Sequence, residues 1–231
     1  MSSINPLLLP VKKDSETIRQ TVLQNIVNML HKRKWISHEN IKIQIKNIID
    51  NQNDEQIYKI QLDVDLTKVE TYYPVDEDVE RKFDKEFNGK YIIVKLLPQN
   101  VTSIGKSPII SEFMLAYNKY HRLIVVDDIS EKIKNTLLVS NKYLEIFKED
   151  FLMFDLFEHT CSPKYEVLTP SETKELISTY NTPRRNLQFM LENDPASLYL
   201  FLEKGQVVRI IRNSEITGTA IAYKIIVNRK L

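Results

Sequence analysis

The chain of 231 residues is 42% hydrophobic, enough to bury a substantial core, and its 32 basic against 31 acidic side chains leave a formal net charge of +1. That balance excludes the long-range positive field by which a protein alone holds nucleic acid or an anionic membrane, so any such contact is local. A single cysteine, Cys161, excludes an internal disulfide and a zinc site built on several thiolates, while scattered histidines (His31, His38, His121, His159) and the lack of an apolar run near ~20 residues point to a soluble intracellular protein with no metal centre and no cofactor.

Residues 14–34 place Val22, Leu23, Ile26, Val27 and Leu30 at helical spacing, with Asp14 and Glu16 early and His31, Lys32, Arg33 and Lys34 late. This predicts an amphipathic helix whose charges complement its dipole. The basic end is expected to satisfy helix carbonyls and stay solvated, and Lys32, Arg33 and Lys34 are the candidates for lying near DNA. Trp35 and Ile36 then precede Ser37, a cap for a second helix opening at His38 and Glu39.

Tyr58, Ile60, Leu62 and Val64 alternate with polar residues, the period of a strand with one wet face. The acidic segment 76–80 reads as a solvated loop or short exposed helix, without the glycine-assisted turn of a hard-cation site. Residues 91–97 form a continuous apolar strand, Ser107 and Pro108 open a helix reaching about His121, and residues 123–126 form a buried strand ending at Asp127 and Asp128. Strand, helix and strand predict one parallel crossover. Short helices at 130–135 and 142–147 are expected around a strand at 137–139.

A second apolar unit starts near Phe151 and runs through His159 into a loop at Pro163, Lys164 and Tyr165. Thr169, Pro170, Ser171 and Glu172 spell a capping box with proline in the first turn, leading a helix whose buried stripe is Thr173, Leu176, Ile177 and Tyr180 and which Asn181 and Pro183 end. Asp194 and Pro195 start another helix, with Gly205 expected to supply the left-handed residue that ends it. A strand at 207–211, a polar turn closing at Gly218 and a last strand through Ile221, Tyr223, Ile225 and Val227 complete the chain.

Four glycines leave little material for a phosphate loop, no nucleophile elbow is present, and Cys161 with His159 two positions away lacks an orienting third group. A nuclease reading rests on Pro74 to Asp76 followed by Lys95, but Ile93 stands where a second metal carboxylate belongs. Arg209 and Arg212, with Ser214, Glu215 and Thr217 in the turn, read as an interface patch, since arginine suits planar multi-donor contacts buried against a partner.

The ordered series His159, Pro163-Lys164, Leu168, Glu172, Lys174, Leu176, Tyr180, Asp194-Pro195, Tyr199-Leu200, Gly205, Val207-Val208, Ile210-Ile211-Arg212, Ser214-Glu215, Thr217-Gly218 and Tyr223 resembles the fifth-subunit family of multisubunit DNA-directed RNA polymerases, which has a shorter archaeal counterpart. Residues 18–39 and 144–147 resemble the front of its eukaryotic-type members more loosely, and the archaeal counterpart lacks that front. Departures fall at Tyr165, at Leu187 to Met190 and at Thr219 to Lys224.

The resemblance implies a noncatalytic polymerase subunit in two parts: an α/β jaw domain with a helical front at residues 1–148 and a small α+β assembly domain with a mixed sheet at 149–231. It places the jaw near downstream duplex DNA and the second domain on the largest subunit. The docking residues it implies are Pro163, Asp194, Pro195, Gly205, Val208, Arg209, Arg212, Ser214, Glu215, Thr217, Gly218 and Tyr223. No membrane or small-molecule substrate enters this reading. Localisation is expected to be nuclear for a cellular protein, and the host cytoplasm or virion if a large DNA virus encodes it, a source that fits the bias toward Ile, Asn and Lys. The rivals are a metal-dependent nuclease on the first domain and a free-standing transcription regulator.

Overall fold

The computed structural model describes residues 14–50, 55–68, 86–101, 108–141, 143–159, 161–214 and 218–228. Helix α1 (Ser15–Lys32) begins where the Asp14 carboxylate accepts the Thr17 N–H at 3.1 Å and buries Val22, Leu23, Ile26, Val27, Met29 and Leu30. It ends in a Schellman arrangement: Lys34 is left-handed at φ 63, its N–H donates to the His31 carbonyl, and the Trp35 N–H donates to the Leu30 carbonyl. That turn drives Trp35 into the core.

The expected Ser37 cap is corrected. Its hydroxyl makes no cap; the Asp63 carboxylate instead accepts the Ser37 N–H at 2.5 Å and the Asn40 side-chain amide at 2.7 Å. A single 3-10 turn at 38–40 then leads into α2 (Ile41–Asp50).

The first sheet has the order β1 (Ile57–Gln61), β2 (Asn88–Leu97), β3 (Tyr120–Val126), β4 (Leu144–Lys148), with β1 antiparallel to β2 and the rest parallel. Helices α3 (Pro108–Ala116) and α4 (Glu131–Ser140) are the crossovers, so two successive strand-helix-strand steps replace the single one expected. Ile93, Leu97, Ile124, Val126, Leu144 and Ile146 pack beneath α3 and α4, while Ile60, Ile92, Val94, Leu123, Val125 and Phe147 pack against α1. Burial on both faces erases the period-two pattern, which is why two assignments need correction here. The helix opened at Pro108 stops at Ala116, leaving His121 in β3, and residues 131–140 are one helix followed by a strand rather than two helices around a strand. Leu137 faces the sheet, whereas Val139, in the same apolar run, is 88% exposed.

A short helix α5 (Glu149–Leu152) leads to the second sheet, whose order is β5 (Lys164–Val167), β7 (Val207–Ser214), β8 (Gly218–Val227), β6 (Gln188–Leu191). β5, β7 and β8 pair antiparallel and β6 joins β8 in parallel, giving the mixed sheet that the sequence implies. The stretch at Pro163 to Tyr165, expected as a loop, runs into β5. Helix α6 (Pro170–Tyr180) carries the full Thr169–Glu172 capping box and ends at a left-handed Asn181. It packs Leu176 against Leu168, Val207, Tyr223 and Ile225. Tyr180, assigned to its buried stripe, lies 64% exposed.

Helix α7 (Pro195–Leu200) covers the opposite face, where Ala196 and Leu202 meet Met190, Val208, Ile210 and Ile226. Its stop differs from the expectation. Phe201, at φ 54, is the left-handed residue, and Gly205, at φ 90, belongs to the following turn, where its N–H donates to the Ile226 carbonyl at 2.9 Å. A phenylalanine in that conformation costs about 1–2 kcal/mol, and it is retained because its ring edge meets Trp35 and His121 at centroid distances of 5.9 and 5.3 Å.

Gly89, which no sequence motif marks, lies where β2 shifts register between Asn88 and Ile92 and crosses the turn at 65–67. A Cβ there would stand 2.4 Å from the Asp65 carboxylate oxygen and 2.9 Å from the Leu66 nitrogen. Gly89→Ala is expected to cost about 1–3 kcal/mol through this crowding, read as a lower urea midpoint with an unchanged slope; a midpoint equal to wild type would mean that the turn moves aside freely.

Candidate docking interface

The hub of the molecule is Arg33, and the expectation of a solvated, DNA-proximal Arg33 is corrected. The Schellman turn points its side chain inward, where burial in an apolar core requires partners for every N–H. Nη1 and Nη2 reach the two Glu145 carboxylate oxygens at 2.8 Å each, Nε donates to the Tyr199 carbonyl at 2.7 Å, and Nη2 also donates to the Leu198 carbonyl at 3.1 Å. The guanidinium lies 4.9 Å from the Trp35 ring centroid and 5.5 Å from that of Phe201. One side chain thus joins the end of α1, the strand β4 and the end of α7.

Glu145 also accepts the His121 Nε2–H at 2.7 Å, which fixes that imidazole tautomer. Burial alone would raise the Glu145 pKa; the Arg33 charge and the hydrogen bonds from His121 and Arg33 outweigh it and hold the carboxyl at about 2. Burial pushes the His121 pKa down against the pull of Glu145, so His121 is the neutral donor. Tyr199, beneath this cluster, donates its hydroxyl to Asp155 at 2.9 Å and meets the Phe157 ring edge-on at 4.6 Å; burial first, then the Asp155 charge, raises its pKa.

Beside the hub opens a groove of about 790 Å³, lined on one side by Lys32, Lys34 and Trp35 and on the other by residues 162–169, Phe201 and Arg209. Pro163 stands on its wall. Arg209 pairs across β5 and β7 with Glu166, which Lys164 approaches at 2.7 Å; the bonds from Lys164 and Arg209 lower the Glu166 pKa. Lys32 lies 3.6 Å from Glu158, and Lys34 is exposed.

The remaining candidates scatter. Arg209 and Arg212 are three positions apart on a regular strand and so face opposite sides of the sheet, Arg212 exposed and Arg209 opposite the half-buried Tyr223. Val208 and Gly205 are buried, and their assignment to a partner surface is corrected, because Val208 fills the core beneath α7 and Gly205 forms the turn that enters β7. Asp194 is occupied as the α7 cap, accepting the Ala196 N–H at 2.9 Å, with Pro195 exposed beside it. Ser214 pairs with the exposed Gly218, at φ 71, across the hairpin end; Glu215 and Thr217 lie outside the described residues.

No motif pointed to the open face of the second sheet. Register puts Ile211, Ile221, Tyr223 and Phe189 on the side that α6 covers, yet α6 reaches only the Val207 and Ile225 end. Ile221 and Phe189 remain 57% and 63% exposed, and the exposed Tyr180 ring extends the apolar surface to Tyr223 at 6.1 Å. A signal did exist: Ile221 and Tyr223 alternate with Ala220 and Ala222, a strand with apolar side chains toward both faces and longer than the eleven-residue α6 covers on one of them.

For a nuclease, Lys95 is unsuited. Its ammonium is bonded to the Glu55 carbonyl inside the protein, burial lowers its pKa, and Ile93 beside it is core. Asp76 lies outside the described residues, and no acidic or histidine cluster fit for a metal occurs among those described. The Cys161 thiol is exposed, and the His159 ring accepts the Cys161 main-chain N–H at 3.2 Å rather than the thiol.

Residues 154–226 match the family model for the C-terminal domain of RNA polymerase Rpb5. Over 224 residues the chain is 30% identical to DNA-directed RNA polymerase subunit 5 of Acanthamoeba polyphaga mimivirus, covering 96% of this chain and 98% of that one. It is 27% identical over 236 residues to subunit rpabc1 of the DNA-directed RNA polymerases I, II and III of Dictyostelium discoideum, covering 98% and 100% of the two chains. With the Caenorhabditis elegans RPABC1 the identity is 39% over 84 residues, 36% of this chain and 40% of that one.

Because the Glu145 pKa is depressed on folding, its contribution to stability is complete above the ordinary carboxylate value of 4.5 and is lost as pH falls toward about 2. Glu145→Gln leaves Arg33 buried without its anion and is expected to cost about 3–5 kcal/mol at neutral pH. The gap from wild type narrows as pH drops through that window in parallel urea titrations. A gap independent of pH would show that the carboxylate charge is not what holds the hub.

Proposed function

The chain belongs to the RNA polymerase Rpb5 family, and on that footing we propose that it is a noncatalytic subunit of a multisubunit DNA-directed RNA polymerase, assembled with the other subunits of that enzyme. The part at 149–231 docks on the largest subunit, and the part at 1–148 projects as a jaw toward downstream duplex DNA. One observation carries the docking: the second sheet leaves Ile221, Phe189 and Tyr180 uncovered on a single surface. Exposed apolar side chains on adjacent strands are the composition of an interface core, while the exposed Arg212, near the hairpin end, projects from the other face of the sheet and joins the contact where a partner wraps that end.

Contact with DNA is shared. A net charge of +1 supports no tight binding by the chain alone, and with Arg33 committed to Glu145 and Lys34 turned to the groove beside β5, the basic end of α1 offers Lys32. The subunit acts in the nucleus if its polymerase is cellular, and in the host cytoplasm or virion if it is viral. A free-standing regulator with the same fold would be recovered from native purification without polymerase.

Ile221→Asp puts a charge in the middle of the open face without touching the core. It is expected to weaken recovery with the largest subunit by about 30-fold or more, the size of a loss of ~2 kcal/mol at a central contact, with no change in the unfolding midpoint of the free chain. Arg212→Glu is expected to reduce recovery while the domain still folds. Normal assembly of the Ile221→Asp variant would refute the surface assigned here, and normal assembly of Arg212→Glu would show that the partner does not wrap the hairpin end.

A further inference from the structure

The groove beside the hub contains an unfinished strand edge, separate from the open sheet face. Among the described residues, β5 ends the order of the second sheet and pairs only with β7. The Leu168 N–H donates to the Val207 carbonyl at 3.0 Å, which sets the antiparallel alternation: the main-chain groups of Glu166 and Lys164 point to β7, and those of Tyr165 and Val167 point away from it. The outward groups take no partner among the described residues. They are not on open surface, because both residues are half-buried and line the groove of about 790 Å³. The hydrogen-bonding template of this edge is intact, and because β5 is short and opens on Pro163 and Lys164, features that blunt an edge against chance pairing, it suits a short and selected partner strand.

The walls specify what would lie against it. Trp35, Phe157 and Phe201 provide an aromatic floor. With Arg33 neutralised by Glu145 and Lys32 beside Glu158, the cations Lys34, Lys164 and Arg209 still outnumber the lining carboxylates Glu166 and Glu172, and Lys164 and Arg209 share the single carboxylate of Glu166. The chain's own first residues carry Lys12 and Lys13 and no acid before Asp14, the wrong charge for this rim.

We propose that the groove receives an extended acidic segment of another polymerase subunit, which adds to the β5 edge as a fifth strand through the main chain of Tyr165 and Val167 and sets its carboxylates against Lys34 and Lys164. This rests on the assembly reading above and adds a second, differently built contact to it. Strand addition supplies affinity through backbone bonds, and the lysines select for charge.

Amide hydrogen exchange, read at single residues in the full chain alone and in polymerase purified through a different subunit, tests the proposal. In the free chain the Tyr165 and Val167 amides are expected to exchange almost unprotected; in the polymerase they slow by at least about tenfold, and the double variant Lys34→Glu, Lys164→Glu loses most of that slowing. Both substituted positions are exposed, so the variant's unfolding midpoint, measured alongside, is expected to match wild type. Free exchange of the two amides inside a polymerase that contains the chain overturns the strand addition and leaves the assembly reading standing. Protection already present in the free chain assigns the edge to a segment of this chain and overturns it too. Slowing that requires added duplex DNA assigns the groove to nucleic acid and likewise overturns the strand addition. Absence of the chain from the purified polymerase removes the assembly reading and this proposal together.

Discussion

The buried pair of Arg33 and Glu145 is the constraint to which the other parts of the molecule conform. A guanidinium taken out of water is costly, and only a set of partners matching its fork offsets that cost. Here the carboxylate supplies two acceptors and α7 supplies two carbonyls. Because those acceptors come from β4 and α7, satisfying the arginine requires both sheet units to be in place around the end of α1. The pair specifies an arrangement more than it adds stability, and it explains the left-handed Phe201: the ring that closes the hub belongs to the residue that must also end α7.

The hub also shapes the surface. Tyr199 packs with the α1 core while Ala196 of the same helix and Leu202 just beyond it pack under the second sheet, so the two units share apolar contact and not only a linker. Their junction is held by the hub, by the packing of Phe151, Leu152, Met153 and Leu156 on the α1 core and by the bond from the Asn25 side chain to the Leu152 carbonyl at 2.9 Å, and the groove lies beside the hub between the end of α1 and β5. The first sheet has helices on both faces and offers little to a partner. The second is closed by α6 and α7 at one end only, which leaves an apolar face and a strand edge of the sort that a subunit presents to a larger assembly.

Legibility in the sequence tracks the range of the interaction. The Asp194 cap, the Thr169–Glu172 box and the helix end at Asn181 are set by residues within three or four positions, and each forms as its pattern predicts. The run from 120 to 148 is ambiguous as sequence because strands buried on both faces and an apolar helix have similar composition, and only pairing separates them. Arg33 carries a misleading signal, sitting in a basic run typical of a solvated helix end. Its partner carries a legible one: Glu145 stands alone between Leu144 and Ile146 in an otherwise apolar strand, and a charge so placed needs a counter-charge from elsewhere in the chain.

By itself, the sequence determined the Asp194 and Thr169–Glu172 caps, the amphipathic first helix, the mixed second sheet and, through the ordered series from His159 to Tyr223, the family. These depend on short-range chemistry or on a pattern of residues along the chain. Tertiary structure alone decided that Arg33 is a buried clamp and not a surface cation, that Arg209 and Arg212 face apart, and that Val208 is core. It also decided which face and which edge of the second sheet remain open. Those outcomes turn on partners up to 166 positions apart, as Arg33 and Tyr199 are, and local sequence pattern does not encode which distant acceptor a side chain will meet.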